Sequence, residues 1–371
     1  MNFTIDRLVL LDNLNNVSHA ISTKVQMPGL TGIKFEVRKE ALTLITNNNE
    51  ISIKAVIKNN YNCISEGDFI LSGKILVDVV KKLVYKDVDF MSFDDKTIKI
   101  LSGKSDFTLT CIDLDSFIEV PFAKTDVSFN IDALNLKALI RKTIFAISNS
   151  DSRPILSGVC MKTSSNVLEF LATDSFRLAR KQIIFNYQFP NINVIIPGKN
   201  FEALNKIIGE SEENVEVYCS SSYVLFKYSN ISFQSRLIKG TFPNVNSLIP
   251  TDSLSKIKFN KDELISTIDR VSLFVNYDAS NIVKFTMSNE GFVEFSTESA
   301  QLGNAKEEVV PLSINNNGNY QISFSSKYFL DALKAFDDSQ VYINFTGDVK
   351  PFTITSDKDV NLIQLILPLR S

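Results

Sequence analysis

Phe3-Thr-Ile-Asp6-Arg-Leu8 opens the chain, Phe129-Asn-Ile-Asp132-Ala-Leu134 repeats the pattern 126 residues later, and Phe259-Asn-Lys-Asp262-Glu-Leu264 repeats it after a further 130. Self-similarity at a fixed period decides architecture before any motif does. In each copy the Asp suits an N-cap or first-turn position, where a carboxylate satisfies free N–H groups and the helix dipole. Apolar positions such as Leu8, Leu11, Leu14 and Val17 follow, and a strand ending at the Phe is expected to precede. A second signature falls midway through each copy: Leu71-Ser-Gly-Lys74, Ile196-Pro-Gly-Lys199 and Phe324-Ser-Ser-Lys327, with lysine offsets of 125 and 128. Each leads into another helical pattern, carried by Val79, Val80 and Leu83, by Leu204, Ile207 and Ile208, and by Phe329, Leu333 and Phe336.

The intervening stretches, among them 32–37, 214–218 and 340–345, alternate with period two and read as antiparallel strand. The fold class is therefore α+β: three repeated domains, each with two helices packed on antiparallel sheet. Breaks at Pro121 to Asp126 and Pro250 to Ser253 set the domains at 1–125, 126–252 and 253–371.

Composition narrows the function. A chain of 371 residues, 44% hydrophobic and 22% charged, is ordinary for a soluble globular protein, and a net charge of −3 speaks against long charged tails. One histidine, His19, speaks against His-rich metal sites and most Ser-His or Cys-His schemes. Cys63, Cys111, Cys160 and Cys219 form no C-x-x-C pair and read mostly as buried small apolar residues. The stretch 1–14 carries Asp6, Arg7 and Asp12, unlike a signal peptide, and no window approaches the roughly 20 apolar residues of a membrane span. A cytoplasmic protein with reduced thiols, no membrane partner, no metal and no cofactor is expected. The carboxylate groups Asp87 and Asp89, Asp94 and Asp95, Glu212 and Glu213, and Asp337 and Asp338 look like solvated turns, and Asp174 lacks a base partner in sequence. No residue is assigned a catalytic role.

Lysines keep their place. Lys74 and Lys81, Lys199 and Lys206, and Lys327 and Lys334 are pairs seven residues apart on the second helix of each copy, hence on one face. Asp78 and Asp331 intervene in two of them, and Lys137, Arg141 and Lys142 add a polar face on the first helix of copy two. A solvated helix face accounts for any one pair, but triplication points to a shared surface suited to a phosphate backbone. No zinc-finger spacing, helix-turn-helix or RNP-type strand is present, so contact would be sequence-independent and salt-sensitive. A scaffold with incidental lysine periodicity stays open as the alternative.

With these residues in view, the chain resembles the bacterial replicative sliding clamp, the beta subunit of the DNA polymerase III holoenzyme, along its full length. The most specific segments are 153–159, Arg-Pro-Ile-Leu-Ser-Gly-Val; 172–179, Ala-Thr-Asp-Ser-Phe-Arg-Leu-Ala; 235–243; and the C-terminal 364–371. The resemblance implies the DNA clamp fold and a head-to-tail dimeric ring, helices inside and sheets outside, that encircles double-stranded DNA. It implies a non-catalytic processivity factor of a DNA-directed DNA polymerase complex. The implied partners are a second copy, the DNA polymerase III alpha subunit, the clamp loader, and other clamp-binding replication and repair proteins. Carried over, the dimer interface takes Lys104, Phe107 and Leu109 against Leu273 and Phe274, with Glu298, Glu307 and Glu308 as acidic counterparts. The partner-peptide cleft takes Leu156, Thr173, Ser175, Phe176, Arg177, Leu178, Pro243, Leu248, Leu365, Leu367, Pro368, Leu369 and Arg370. DNA contact adds Lys24 and Ser150 to the helix lysines. Many family members have Gly-His in place of Ser175-Phe176 and Arg in place of Ser247, which implies an altered peptide preference.

Overall fold

The computed structural model describes residues 1–23, 27–92, 94, 96–150, 152–275, 281–287, 291–300, 302–316 and 320–369. Lys24, Asp95 and Arg370 lie outside them. The first repeat supplies β1 (Asn2–Asp6), α1 (Arg7–Ser18), β2 (Gly32–Val37), β3 (Leu42–Asn47), β4 (Ile51–Ile57), β5 (Tyr61–Ser65), β6 (Gly67–Ser72), α2 (Gly73–Lys82), β7 (Asp87–Ser92), β8 (Thr97–Ser102) and β9 (Ser105–Thr110). The second supplies β10 (Ser128–Asp132), α3 (Ala133–Arg141), β11 (Gly158–Ser164), β12 (Val167–Thr173), β13 (Arg177–Ile184), β14 (Asn193–Pro197), α4 (Gly198–Ile207), β15 (Asn214–Cys219), β16 (Tyr223–Tyr228) and β17 (Ile231–Arg236). The third supplies β18 (Ser255–Asn260), α5 (Lys261–Ser272), β19 (Ile282–Met287), β20 (Val293–Ser299), β21 (Gly303–Val309), β22 (Ser313–Asn316), β23 (Gln321–Ser325), α6 (Ser326–Lys334), β24 (Gln340–Phe345), β25 (Phe352–Thr355) and β26 (Leu362–Ile366).

Two helices and a set of antiparallel strands per repeat match the expected α+β class, but the sheets cross the repeat boundaries. The chain forms two compact units, Met1–Leu136 with Lys199–Leu237, and Lys137–Gly198 with Ile238–Ser371. In the first, an eight-stranded sheet runs β10-β15-β16-β17-β4-β3-β2-β6, beside a five-stranded sheet β5-β1-β7-β8-β9. Its seam is β17 on β4, from Ile231 opposite Ala55 to Ser235 opposite Ile51. In the second, a nine-stranded sheet runs β14-β11-β12-β13-β26-β25-β24-β18-β22, beside a four-stranded sheet β21-β20-β19-β23. There the seam is β13 on β26, from Arg177 opposite Ile366 to Lys181 opposite Leu362.

Phenylalanine fills both cores. In the first unit Phe3 stacks on Phe90 with ring centres 4.7 Å apart, and Phe35 on Phe69 at 4.5 Å, beneath Leu10, Leu14 and Val17 of α1. In the second, Phe324 meets Phe329 at 4.6 Å and Phe285 meets Phe345 at 4.8 Å, under Leu264, Ile268 and Val271 of α5. Such aromatic pairs add to simple area burial. Cys160 and Cys219 are buried within the sheets, where desolvation pushes both thiols up to about 12, so they pack as small apolar groups.

The helix starts correct the sequence reading in two respects. The preceding strand does not end at the Phe: β1 runs on to Asp6 and β10 to Asp132. Asp6 caps α1 by accepting from the N–H groups of Leu8 (2.8 Å) and Val9 (3.2 Å), and Asp132 accepts from that of Asn135 (2.8 Å). In the third repeat, however, the cap is Asn260, which accepts from Asp262 and Glu263 at 3.0 and 3.1 Å. The ladders give the true equivalence, with Asp6 opposite Asp87, Asp132 opposite Asn214, and Asn260 opposite Gln340. The third sequence match is thus two residues out of step, which is why Leu264 is buried while Leu8 and Leu134 are exposed. Counted from the caps, the second spacing is the same 128 that separates Lys199 from Lys327.

Asn260→Ala should therefore cost about 1 kcal/mol, as loss of an N-cap does. Asp262→Ala, an exposed first-turn residue, should cost only about 0.3 kcal/mol from the helix dipole. Urea denaturation midpoints separate the two, and equal losses would restore Asp262 as the cap.

Candidate functional sites

A turn and a seam build the second unit's apolar hollow. Leu156 comes from the 3-10 turn Pro154–Ser157, Leu178 from β13 and Leu365 from β26; together with Cys160, Leu171, Ile195, Phe242 and Val245 they form one buried cluster, with Leu367 packed against it. A cavity of about 210 Å³ adjoins it, lined by Cys160, Leu171, Phe242, Pro243 and Val245 together with the polar Lys162, Glu169, Asn193, Asn244 and Asn246. Phe176 and Leu248 are more than half exposed, and Pro243 is exposed. The C-terminal strand end is tied on both sides: Leu367 N–H donates to the Phe176 carbonyl at 2.9 Å, and Leu369 N–H to that of Ser323 at 2.7 Å, with Pro368 half-buried between. Most of the sequence-assigned cleft is thereby brought to one place. Sequence reasoning missed Leu171 and Ile195, whose only signal was strand alternation, and Phe242, which lies in the quoted segment 235–243.

Arg177 departs from its assignment as a cleft wall. It is buried, and its guanidinium bonds Asp174 at 3.0 Å, Asp331 of α6 at 2.7 Å and the carbonyl of Phe145, lying 4.4 Å from the centre of the Tyr328 ring. Asp174 in turn accepts from the N–H groups of Phe176 (2.9 Å) and Arg177 (3.0 Å), and Thr173 Oγ1 donates to the Arg177 carbonyl at 2.6 Å. Burial, then the charge of Asp174, raises the Tyr328 phenol above its ordinary value, so the ring stays neutral under the guanidinium. Arg177 therefore acts from behind: it fixes the turn that displays Phe176. At the apex Ser175 has φ of +80°, and its hydroxyl accepts from exposed Arg153 at 3.1 Å. That left-handed backbone explains why many sequences of the resembled family carry Gly there.

The first unit contains the same construction without the hollow. Asn49 repeats the left-handed turn with φ of +73°. At the places of Cys160 and Leu178 stand Lys34 and Ser52, and opposite Ser52 the seam offers Gln234 where Leu365 faces Leu178. Lys34 is buried, ion-paired with Glu119 and, at 3.0 Å, with Glu36. Polar groups thus enter at these positions, beside a buried apolar cluster that includes Ile45, Ile70 and Phe117.

The helix lysines hold their positions. Lys74, Lys199 and Lys327 are each the second residue of a helix, and Lys81, Lys206 and Lys334 lie in the last turn; all six are exposed. A cation in the first turn opposes the helix dipole, at roughly 0.3–1 kcal/mol each, so its recurrence in three helices does not serve stability. Lys137 is half-buried, and Arg141 is exposed and pairs with Asp337 at 2.8 Å; Ser150 is exposed and hydrogen-bonded to Ser152. Lys142 is a correction. It lies past the end of α3, buried between Asp337 (2.9 Å) and Asp359 (2.7 Å), and Lys181 also pairs with Asp359. Its charge is spent on the seam beside β13 and β26. Asp337 is accordingly exposed but ion-paired, while Asp338 is buried and departs from the solvated turn expected.

Among the strands that end a sheet, β9 and β21 carry the residues assigned to the ring edge. β9 pairs with β8 and carries exposed Phe107 and half-buried Leu109, with exposed Lys104 in the turn before it. β21 pairs with β20 and carries Glu307 and Glu308, while exposed Glu298 lies on β20. Leu273 is exposed and Phe274 half-buried just past α5. Glu307 already has a partner, a two-point bond from Arg270 at 2.6 and 2.7 Å, so it is not a free counter-charge.

The chain is similar to known proteins over its whole length. Three family models match: the N-terminal domain of the DNA polymerase III beta subunit at residues 1–121, its central domain at 130–244 and its C-terminal domain at 246–370. The beta sliding clamp of Staphylococcus epidermidis is 37% identical over 377 residues, with both chains fully covered. The structure superposes on the DNA polymerase sliding clamp of Bacillus subtilis with a TM-score of 0.95 at 34% identity, covering 100% of this chain and 99% of that one. It superposes equally, at 31% identity and full coverage of both, on the DNA polymerase III beta chain of Streptococcus pneumoniae.

Two outcomes follow from the geometry. Ser175→Gly should stabilise the protein by about 1 kcal/mol, the cost of a left-handed non-glycine residue, read from the urea midpoint; an unchanged midpoint would show the Arg153 bond to offset that cost. Burial opposes ionisation of Asp359, yet its hydrogen bonds and charge pairing with Lys142 and Lys181 outweigh burial, and its pKa lies below the usual carboxylate value. A depressed folded pKa gives stability present above about pH 4 and lost as pH falls through the folded value. Asp359→Asn should flatten that part of the acid limb of a stability-versus-pH curve; an unaltered limb would exclude this network as its source.

Proposed function

The chain belongs to the family of DNA polymerase III beta subunits and is a replicative sliding clamp, a processivity factor; from that premise we propose how its own residues perform the task. The division at 1–125, 126–252 and 253–371 serves as the proposed domain plan, supported by the sequence repeat and the ends of the caps. Two copies close head to tail, β9 of one beside β21 of the other. The support is physical: an edge strand with exposed apolar side chains is an aggregation hazard unless covered, and a heterologous contact that closes gives a ring. Phe107 and Leu109 meet Leu273 and Phe274, with Lys104 facing Glu298 and Glu308.

The observation that carries the reading is the lysine pair at the same two positions of α2, α4 and α6, exposed and kept against the helix dipole. Six such helices in a dimer line the hole through which double-stranded DNA passes. Lysine is a flexible point charge without a fixed fork, so it attracts phosphate without holding a register. The ring itself does no chemistry. Retention is topological, which lets the electrostatic attraction be weak and the clamp slide.

The hollow formed by Leu156, Leu178, Leu365 and Leu367 takes the apolar ends of partner peptides, from the polymerase alpha subunit, the clamp loader and repair proteins, inside the cell. A few buried anchors supply most of such binding. Phe176 and Leu248 form its exposed lips, and Arg177 keeps the Phe176 lip in place.

The test is retention on DNA. Loaded onto a closed circle, the clamp should survive moderate salt and be lost once the circle is linearised. Leu273→Asp with Phe274→Asp should sediment as a monomer and fail to stay on the circle. Retention that ignores linearisation would overturn encirclement, and a double variant still dimeric at low micromolar concentration would overturn the assigned edge.

A further inference from the structure

A cavity of about 730 Å³ opens in the first unit at the end of the β17–β4 seam, and no carboxylate lines it. Three lysines do. Lys227 stands opposite Ser232 on the neighbouring strand, and Ser232 stands opposite Lys54, so the three side chains form a row across one face of the sheet. Lys58 joins from the turn after β4. Lys54 rests its ammonium 4.8 Å from the centre of the Phe122 ring, and no lysine of the three has an ion pair among the described residues. In a protein of net charge −3, this is a local concentration of three positive charges, and the acid opposite Lys227 across the ladder, Glu216, is already ion-paired with Lys124 at 3.1 Å.

The second unit differs at the corresponding turn. Its corresponding turn, between β25 and β26, carries Asp357 and Asp359, and these answer the lysines around them: Asp357 takes Lys258 at 3.2 Å, and Asp359 takes Lys142 at 2.7 Å and Lys181. In the first unit the turn between β16 and β17 is Ser229-Asn230, and the place is neutral, with Asn230 donating to Asn13 at 2.7 Å. One turn supplies carboxylates to the lysines near it; the other supplies none.

We propose that this cavity binds the phosphates of a nucleotide or of single-stranded nucleic acid. Its volume falls in the range of small-ligand sites. Lysine ammonium groups suit phosphate as point charges. The amides of Asn59 and Asn60, which donate and accept, offer pairing to base edges that a carboxylate-bearing peptide does not need. The site is separate from the helix lysines and from the apolar hollow, so it goes beyond the clamp reading and can fail without it.

The test uses the full-length protein and a fluorescein-labelled oligothymidylate followed by anisotropy, with unlabelled oligothymidylate and thymidine triphosphate as competitors. The variant Lys54→Gln with Lys58→Gln and Lys227→Gln should bind at least about tenfold more weakly, with the slope of log affinity against log salt shallower by about 2. Lys199→Gln with Lys206→Gln should retain the binding, and the cavity variant should stay on closed circular DNA as the parent does. Competition by thymidine triphosphate, mole for mole as strong as by oligonucleotide, assigns the free nucleotide; competition by oligonucleotide alone assigns the strand, and either supports the site. A cavity variant that binds like the parent overturns it, as does binding lost in the Lys199 and Lys206 variant instead, or a polyglutamate peptide that competes as strongly as the phosphates.

Discussion

The backbone ladders β17 on β4 and β13 on β26 are the constraint on which the rest of the molecule depends. Each repeat alone ends in strands whose N–H and C=O groups need partners, and each junction answers the need by merging half of one repeat with half of the next. A paired backbone group contributes modestly, but one left buried and unpaired costs more. The middle repeat is therefore shared between two units, and the joints between repeats are continuous sheet rather than flexible tether. The same rule lets pairing run out at the strands that end the sheets, β9 and β21 among them.

The seams also fix the chemistry that gathers at them. A strand pair presents side chains in strict alternation, so Leu178 must face Leu365 once Arg177 faces Ile366, and Ser52 must face Gln234 once Ile51 faces Ser235. With the ladder shared, the two junctions differ only in what the alternating positions carry. Apolar residues at one leave a greasy hollow; at the other Lys34 brings ion pairs with Glu36 and Glu119, and Ser52 a hydrogen bond to Asn47.

The period, the helix pairs and the lysine positions were legible because they are local and recur in one chain. The register of the third copy was not, since Phe259 and Asp262 reproduce the spacing of Phe3 and Asp6 while the chain caps its helix at Asn260. Sequence spacing measures residues, whereas the cap is set by where β18 leaves its partner. The apolar cleft residues were legible through resemblance, but the inward roles of Arg177 and Lys142 were not. Asp331 and Asp359, which draw them inward, lie more than 150 and 200 residues away, and only Asp174, three residues before Arg177, is a local partner. Glu307 shows the same limit: its acidity was visible, while its occupation by Arg270 needed the fold.

The polar filling of the first unit's junction sets a valency. With Lys34 and Gln234 standing where the hollow would be, a chain built from repeats offers one apolar berth instead of two, and a pair of chains offers two. On the proposed ring, two proteins could then be held at once, and the one already seated could be replaced from a neighbour at high effective concentration rather than from bulk solution. Exchange of clients becomes a matter of proximity, and a third client must wait for a vacancy.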